Sequence, residues 1–186
     1  MAYIDKTAFQ PRIWNNRNND LQNVPAVFET GGAADDCAAG FLCVIDDTKL
    51  SNGNLVMKAA TDGNAKIYAC NPGDVQRGII GNGLYAEGVE TLGLGLPKNR
   101  LGTFTEMIPG ETYAFREGNF ASAFDGSTNK FATIANGKLT PAASAPAAGS
   151  GIYFELNRQL GIDNFTEGNG VAGKRYNMVC RKTADA

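Results

Sequence analysis

The residues able to carry out chemistry are few and widely spaced. The chain has four cysteines, Cys37, Cys43, Cys70 and Cys180, and no histidine. Without an imidazole there is no ordinary general base near neutral pH, and triads built on Ser-His or Cys-His are excluded. No two cysteines form a Cys-x-x-Cys pair, and the gap between Cys37 and Cys43 is not a zinc-ribbon spacing. Cys43 lies inside Phe-Leu-Cys-Val-Ile and Cys70 ends Lys-Ile-Tyr-Ala-Cys, runs in which a reduced thiol acts as a small apolar core residue. Reduced thiols and no cofactor are expected, with a four-cysteine metal site as the alternative.

The remaining motifs fail on context. Gly81-Asn-Gly83-Leu-Tyr-Ala86 matches a dinucleotide-binding fingerprint in letters, but that motif must open a helix, and Gly88, Gly93 and Gly95 follow. Asp46-Asp47 and Asp62-Gly63 lack the ligand series of a calcium loop and read as turns. Asp35-Asp36, in a Gly/Ala-rich loop, read as solvated acids. The glutamates Glu87, Glu90, Glu106, Glu111, Glu117 and Glu155 are scattered, so no carboxylate pair of a glycosidase can be assigned. Tyr113, Phe115, Phe120 and Phe124 could offer sugar-stacking platforms, yet their alternation equally fills a β core.

Such residues would have to be positioned by strands. From Gly118 to Leu156 short apolar runs of period two are punctuated by Asp125-Gly126 and Asn136-Gly137, a signal for tightly turned antiparallel strands. Phe41–Ile45 is a continuous apolar run, as in a strand buried on both faces. Leu55–Ala60 and Ala65–Cys70 read as a hairpin turned at Thr61-Asp-Gly-Asn64. Gly102–Ile108 and Glu111–Phe115 read as a strand pair joined at Pro109-Gly110, and Arg175–Arg181 as a last strand. The one helix-compatible segment is Phe154 to Gly161. The fold class expected is all-β, a small antiparallel β-barrel or β-sandwich with an extended N-terminal arm and little helix.

The arm is read as residues 1–40, with a short strand at Val24 to Glu29, and residues 41–186 as a single β domain. Asn-rich sequence and the prolines Pro11 and Pro25 disfavour helix there. The sole tryptophan, Trp14, either folds back to cap its own core or, with Ile4, Phe9 and Ile13, anchors the arm on a neighbouring subunit by strand addition and apolar contact.

A length of 186 residues suits one domain with an arm; 23 glycines and 19% charged residues favour turns over long charged helices. A net charge of −2 provides no global field for phosphates, so nucleic acid is not an expected partner. The first residues show no secretory pattern and no run reaches the length of a membrane span, so no membrane role is expected.

Glu111-Thr-Tyr-Ala-Phe-Arg-Glu-Gly-Asn-Phe-Ala-Ser-Ala-Phe-Asp-Gly, then Asn136-Gly-Lys-Leu-Thr-Pro-Ala and a strand after a small-residue loop, resembles the small β-barrel capsid decoration (cement) proteins of tailed bacteriophages. The resemblance covers about residues 111–156. It implies a non-enzymatic virion component, made in the host cytoplasm, that binds the outer surface of a major capsid protein lattice. It also implies a homo-oligomer, often a trimer, attached through an N-terminal arm. Other phage head or tail subunits share these features, and a carbohydrate-binding β-sandwich using Tyr113 or Phe120 is a further alternative.

Overall fold

In the computed structural model, which describes residues 9–12, 23–71, 95–166 and 172–185, the alternating runs form thirteen strands. They are β1 (Phe9–Arg12), β2 (Asn23–Thr30), β3 (Ala33–Ala34), β4 (Leu42–Ser51), β5 (Asn54–Ala59), β6 (Tyr68–Asn71) and β7 (Gly102–Glu106). After these come β8 (Thr112–Arg116), β9 (Phe131–Ala135), β10 (Lys138–Ala142), β11 (Ile152–Leu156), β12 (Ile162–Thr166) and β13 (Ala172–Lys182). A 3-10 turn at Glu117–Asn119 is the helical element among the described residues. The all-β expectation is met.

The strands form two sheets. The first runs β1-β8-β13-β11-β9-β10, with β12 also paired to β13, and every pairing is antiparallel. The second curls on itself. β2 pairs with β5 in parallel and with β7 antiparallel, so the path β2-β5-β4-β6-β7 returns to its start and forms a small barrel; β3 lies outside the ring, against β2.

Period-two alternation then sorts the apolar residues into two cores. Ala26 and Phe28 of β2, Cys43 of β4, Met57 of β5, Tyr68 and Cys70 of β6 and Phe104 of β7 fill the barrel, joined by Cys37 and Leu96. The neighbouring positions Leu42 and Ala69 face outward, into a second core against the first sheet. There they meet Tyr113, Phe115, Ile134, Leu139, Phe154, Tyr176, Met178 and Cys180. Phe115 and Phe154 meet edge to face, with centroids 5.4 Å apart. Each fully buried side chain of this size contributes about 1.5–3 kcal/mol relative to exposure. Within the run Phe41–Ile45, Leu42 and Cys43 are buried on opposite faces, because β4 is a wall shared by the two cores, while Phe41, Val44 and Ile45 are half-buried.

Backbone contacts join the two layers. The Asn136-Gly137 turn of the β9–β10 hairpin docks on the barrel: Leu42 N–H donates to the Gly137 carbonyl and Gly137 N–H to the Ala60 carbonyl, both at 2.8 Å. The ring of Phe41 fills the space a Cβ on Gly137 would need. Gly63 and Gly151 form a bridge, with Ile152 N–H donating to the Gly63 carbonyl at 2.7 Å. Asn119 donates from Nδ2 to the Ala39 carbonyl at 2.7 Å and accepts Arg116 N–H at 3.0 Å.

Three local expectations are corrected. β5 and β6 are not hairpin partners; both flank β4, and Thr61–Asn64 carries the chain across to the Gly151 bridge. β7 and β8 do not pair either. Pro109-Gly110 is a crossover from barrel to first sheet, held by Tyr113, whose hydroxyl accepts Ile108 N–H at 3.0 Å and donates to the Glu106 carbonyl at 3.1 Å. Phe154 to Gly161 is the end of β11 and a turn, since Asn157 Oδ1 accepts the N–H groups of Gln159 and Leu160 and offers the backbone an alternative to helix.

Candidate functional site

Of the four residues expected to make partner contacts, Ile4, Ile13 and Trp14 lie outside the described residues. Phe9 opens β1, where its backbone pairs with Phe115 of β8. β1 is the terminal strand of its sheet, and Pro11 within it, having no N–H, suits an edge. The arm was expected to run to residue 40, but Asn23–Thr30 and Ala33–Ala34 are sheet strands, with Ala26 and Phe28 in the barrel core. The extended strand read at Val24 to Glu29 is thus part of the barrel wall. Its apolar alternation at positions 24, 26 and 28 carried that signal.

Where the barrel meets the first sheet, a groove of about 470 Å³ opens. Phe28 and Phe41 line it, edge to face with centroids 5.6 Å apart. Asp35 and Asp36 stand on one side, Thr30, Asn119 and Lys138 also contribute, and the backbones of Gly118 and Gly137 complete the lining. Asp36 Oδ1 accepts Lys98 N–H at 2.7 Å and Asp35 Oδ1 accepts Asp36 N–H at 2.9 Å, so one oxygen of each carboxylate holds the loop. Among the described residues no cation pairs with either acid. The groove can therefore receive a ligand with an apolar face and a hydroxyl-bearing or basic edge. Asp35 and Asp36 are exposed, as the sequence reading had them; the groove beside them was not readable, because it depends on the docking of Gly137 beside Phe41, a contact between distant segments.

A second groove, of about 460 Å³, is lined by Lys130, Phe131, Glu155, Leu156, Asn157, Arg158 and Gly161. Its acid is already engaged: Arg181 Nε donates to Glu155 at 2.9 Å and Arg158 lies 3.5 Å away. Such exposed pairs are worth about 0–1 kcal/mol and fix orientation more than stability.

The other singled-out residues are structural. Tyr113, Phe115, Phe120 and Phe124 are buried and present no sugar platform. Asp62 caps Asn64 N–H, and Asp46 accepts the hydroxyl and N–H of Thr48. All four cysteines are free and buried. Burial pushes the thiols of Cys37, Cys43 and Cys70 up, and that of Cys180 to about 12, so they are neutral hydrophobes at physiological pH. No group of three or more His, Cys, Asp or Glu able to hold a metal ion occurs among the described residues. The Gly81–Ala86 fingerprint lies outside them.

One side of the molecule carries an apolar knob. The β4–β5 hairpin ends in Asn52-Gly53, and its cross-strand pair Leu50 and Leu55 is exposed, Leu50 by 63%. Comparison with known proteins finds no matching family model, no matching curated protein and no matching solved structure.

Proposed function

We propose that this chain is a structural subunit of a bacteriophage particle, a decoration protein that binds and stabilises the capsid through its N-terminal segment. The observation that carries this reading is the place of β1. β1 is an edge strand of the first sheet, paired on one side with β8, so the N-terminal segment joins the described body at a sheet rim. Two β layers joined through close backbone contacts make a stiff body suited to repetition on a lattice, where weak contacts multiply. The major capsid protein is the partner in this reading, with homo-oligomers on the lattice and Ile4, Phe9, Ile13 and Trp14 as contacts. Neither nucleic acid nor membrane takes part.

The test is addition of purified protein to capsids that lack it, followed by sedimentation and electron microscopy. Full-length chain is expected to bind. Deletion of residues 1–8, which removes Ile4 but leaves β1, Ile13 and Trp14 in place, is expected to weaken binding without moving the thermal melt, and Ile13→Ala with Trp14→Ala in the same truncated chain is expected to abolish it. Equal binding by the truncated chain refutes the attachment. Density on the tail would assign the chain to another structural position.

The groove at Phe28 and Phe41 favours a second reading, carbohydrate binding, because an apolar floor beside free carboxylate oxygens is how a protein receives a sugar face and its hydroxyls. Glycan-array binding that is lost in Asp36→Ala would support it; an unresponsive array removes it.

A further inference from the structure

Two Asn-Gly dipeptides close two-residue hairpin turns among the described residues. Asn52-Gly53 joins β4 to β5, and Asn136-Gly137 joins β9 to β10. In conformation they are near copies, with φ of 49° and 81° in the first and 48° and 75° in the second. Their surroundings differ. Asn52 and Gly53 are both exposed, and nothing lies within 4 Å of the point where a Cβ on Gly53 would stand. The Gly53 N–H has no acceptor among the described residues. Gly137 is buried: its N–H is committed to the Ala60 carbonyl and its carbonyl to Leu42 N–H, each at 2.8 Å, while the Phe41 ring lies 2.1 Å from the point where a Cβ would stand.

This contrast bears on a covalent reaction. In Asn-Gly the glycine nitrogen, with no Cβ beside it to shield the approach, can lose its proton and attack the asparagine side-chain carbonyl carbon. A ring C–N bond forms, the bond to the side-chain nitrogen breaks and ammonia leaves. Water then opens the cyclic imide to aspartate or isoaspartate. One water enters and one ammonia departs, with no oxidant or reductant. The reaction requires a glycine N–H free to ionise and a turn free to distort.

We infer that Asn52 is a site of spontaneous deamidation and that Asn136, the same dipeptide in the same turn, is protected by its docking on the barrel. The product places a carboxylate beside the exposed Leu50 and Leu55, so the knob changes from apolar to anionic as the molecule ages.

The experiment compares the two sites within one molecule. Folded full-length protein is incubated in mildly alkaline buffer, and each site is followed by peptide mass spectrometry as a gain of one mass unit. Asn52 is expected to convert faster than Asn136 by roughly tenfold or more, because a docked site reacts only through local opening. In chaotrope the difference should vanish, and Gly53→Ala should slow Asn52 alone. Equal rates at the two sites in the folded protein overturn the inference. So does an Asn52 that stays intact after the unfolded chain has converted.

Discussion

Asp125 shows how the polar residues of this chain are used. Its carboxylate accepts Ser127 N–H at 3.0 Å, the Ser127 hydroxyl at 2.8 Å and the Thr128 hydroxyl at 2.7 Å, and these donors hold its pKa down to about 2. A depressed carboxyl contributes stability that is present above its unfolded pKa and lost as pH falls through the folded one. Acid melts should therefore show wild type losing its advantage over Asp125→Asn between about pH 4 and about pH 2, with a constant difference above that window. A difference unchanged down to pH 2 would mean that the turn does not depend on the charge. The Asp125-Gly126 turn was legible in the sequence, since Asp and Gly have local reasons to turn. The roles of Asp36 and Asn119 were not, because each depends on a partner many residues away.

Elements were legible as pieces and illegible as pairs. The hairpin across Asn136-Gly137 and the last strand at β13 were readable, because a two-residue Asn-Gly turn leaves the chain one place to go. Thr61–Asn64 and Pro109-Gly110 were misread as hairpin turns because turn chemistry reports a reversal and not the sheet to which the chain returns. Gly63 marks the difference. Its ideal Cβ would stand 2.1 Å from the Ile152 carbonyl oxygen, whereas one on Gly53 meets nothing within 4 Å. Gly63→Ala should cost about 3 kcal/mol by forcing the layers apart. Gly53→Ala should cost about 1 kcal/mol, from left-handed backbone strain alone. Urea denaturation of both variants checks the order, and equal losses would mean that the Gly63–Gly151 contact bears no weight.

At the scale of the molecule, β1 is the outermost strand and its loss exposes the edge of β8, a strand buried along all five residues. Deleting residues 1–12 should lower the melting temperature by roughly 5 °C for a loss of about 2 kcal/mol, measured by calorimetry. An unmoved melt would show that β1 adds nothing to the body. The all-β class was readable because composition and alternation are global properties, but the ring was not, since it closes through a pairing of β2 with β7. The position of β13 has a further consequence. The last strand in chain order lies inside the first sheet, bonded to β8, β11 and β12, while the barrel can close as soon as β7 has been made. During synthesis the barrel is thus complete while the larger sheet still lacks its middle, so a chain cut short before Ala172 keeps Phe115 and Phe154 without Tyr176, Met178 and Cys180 of the strand that lies between them. Such products would be sticky rather than inert.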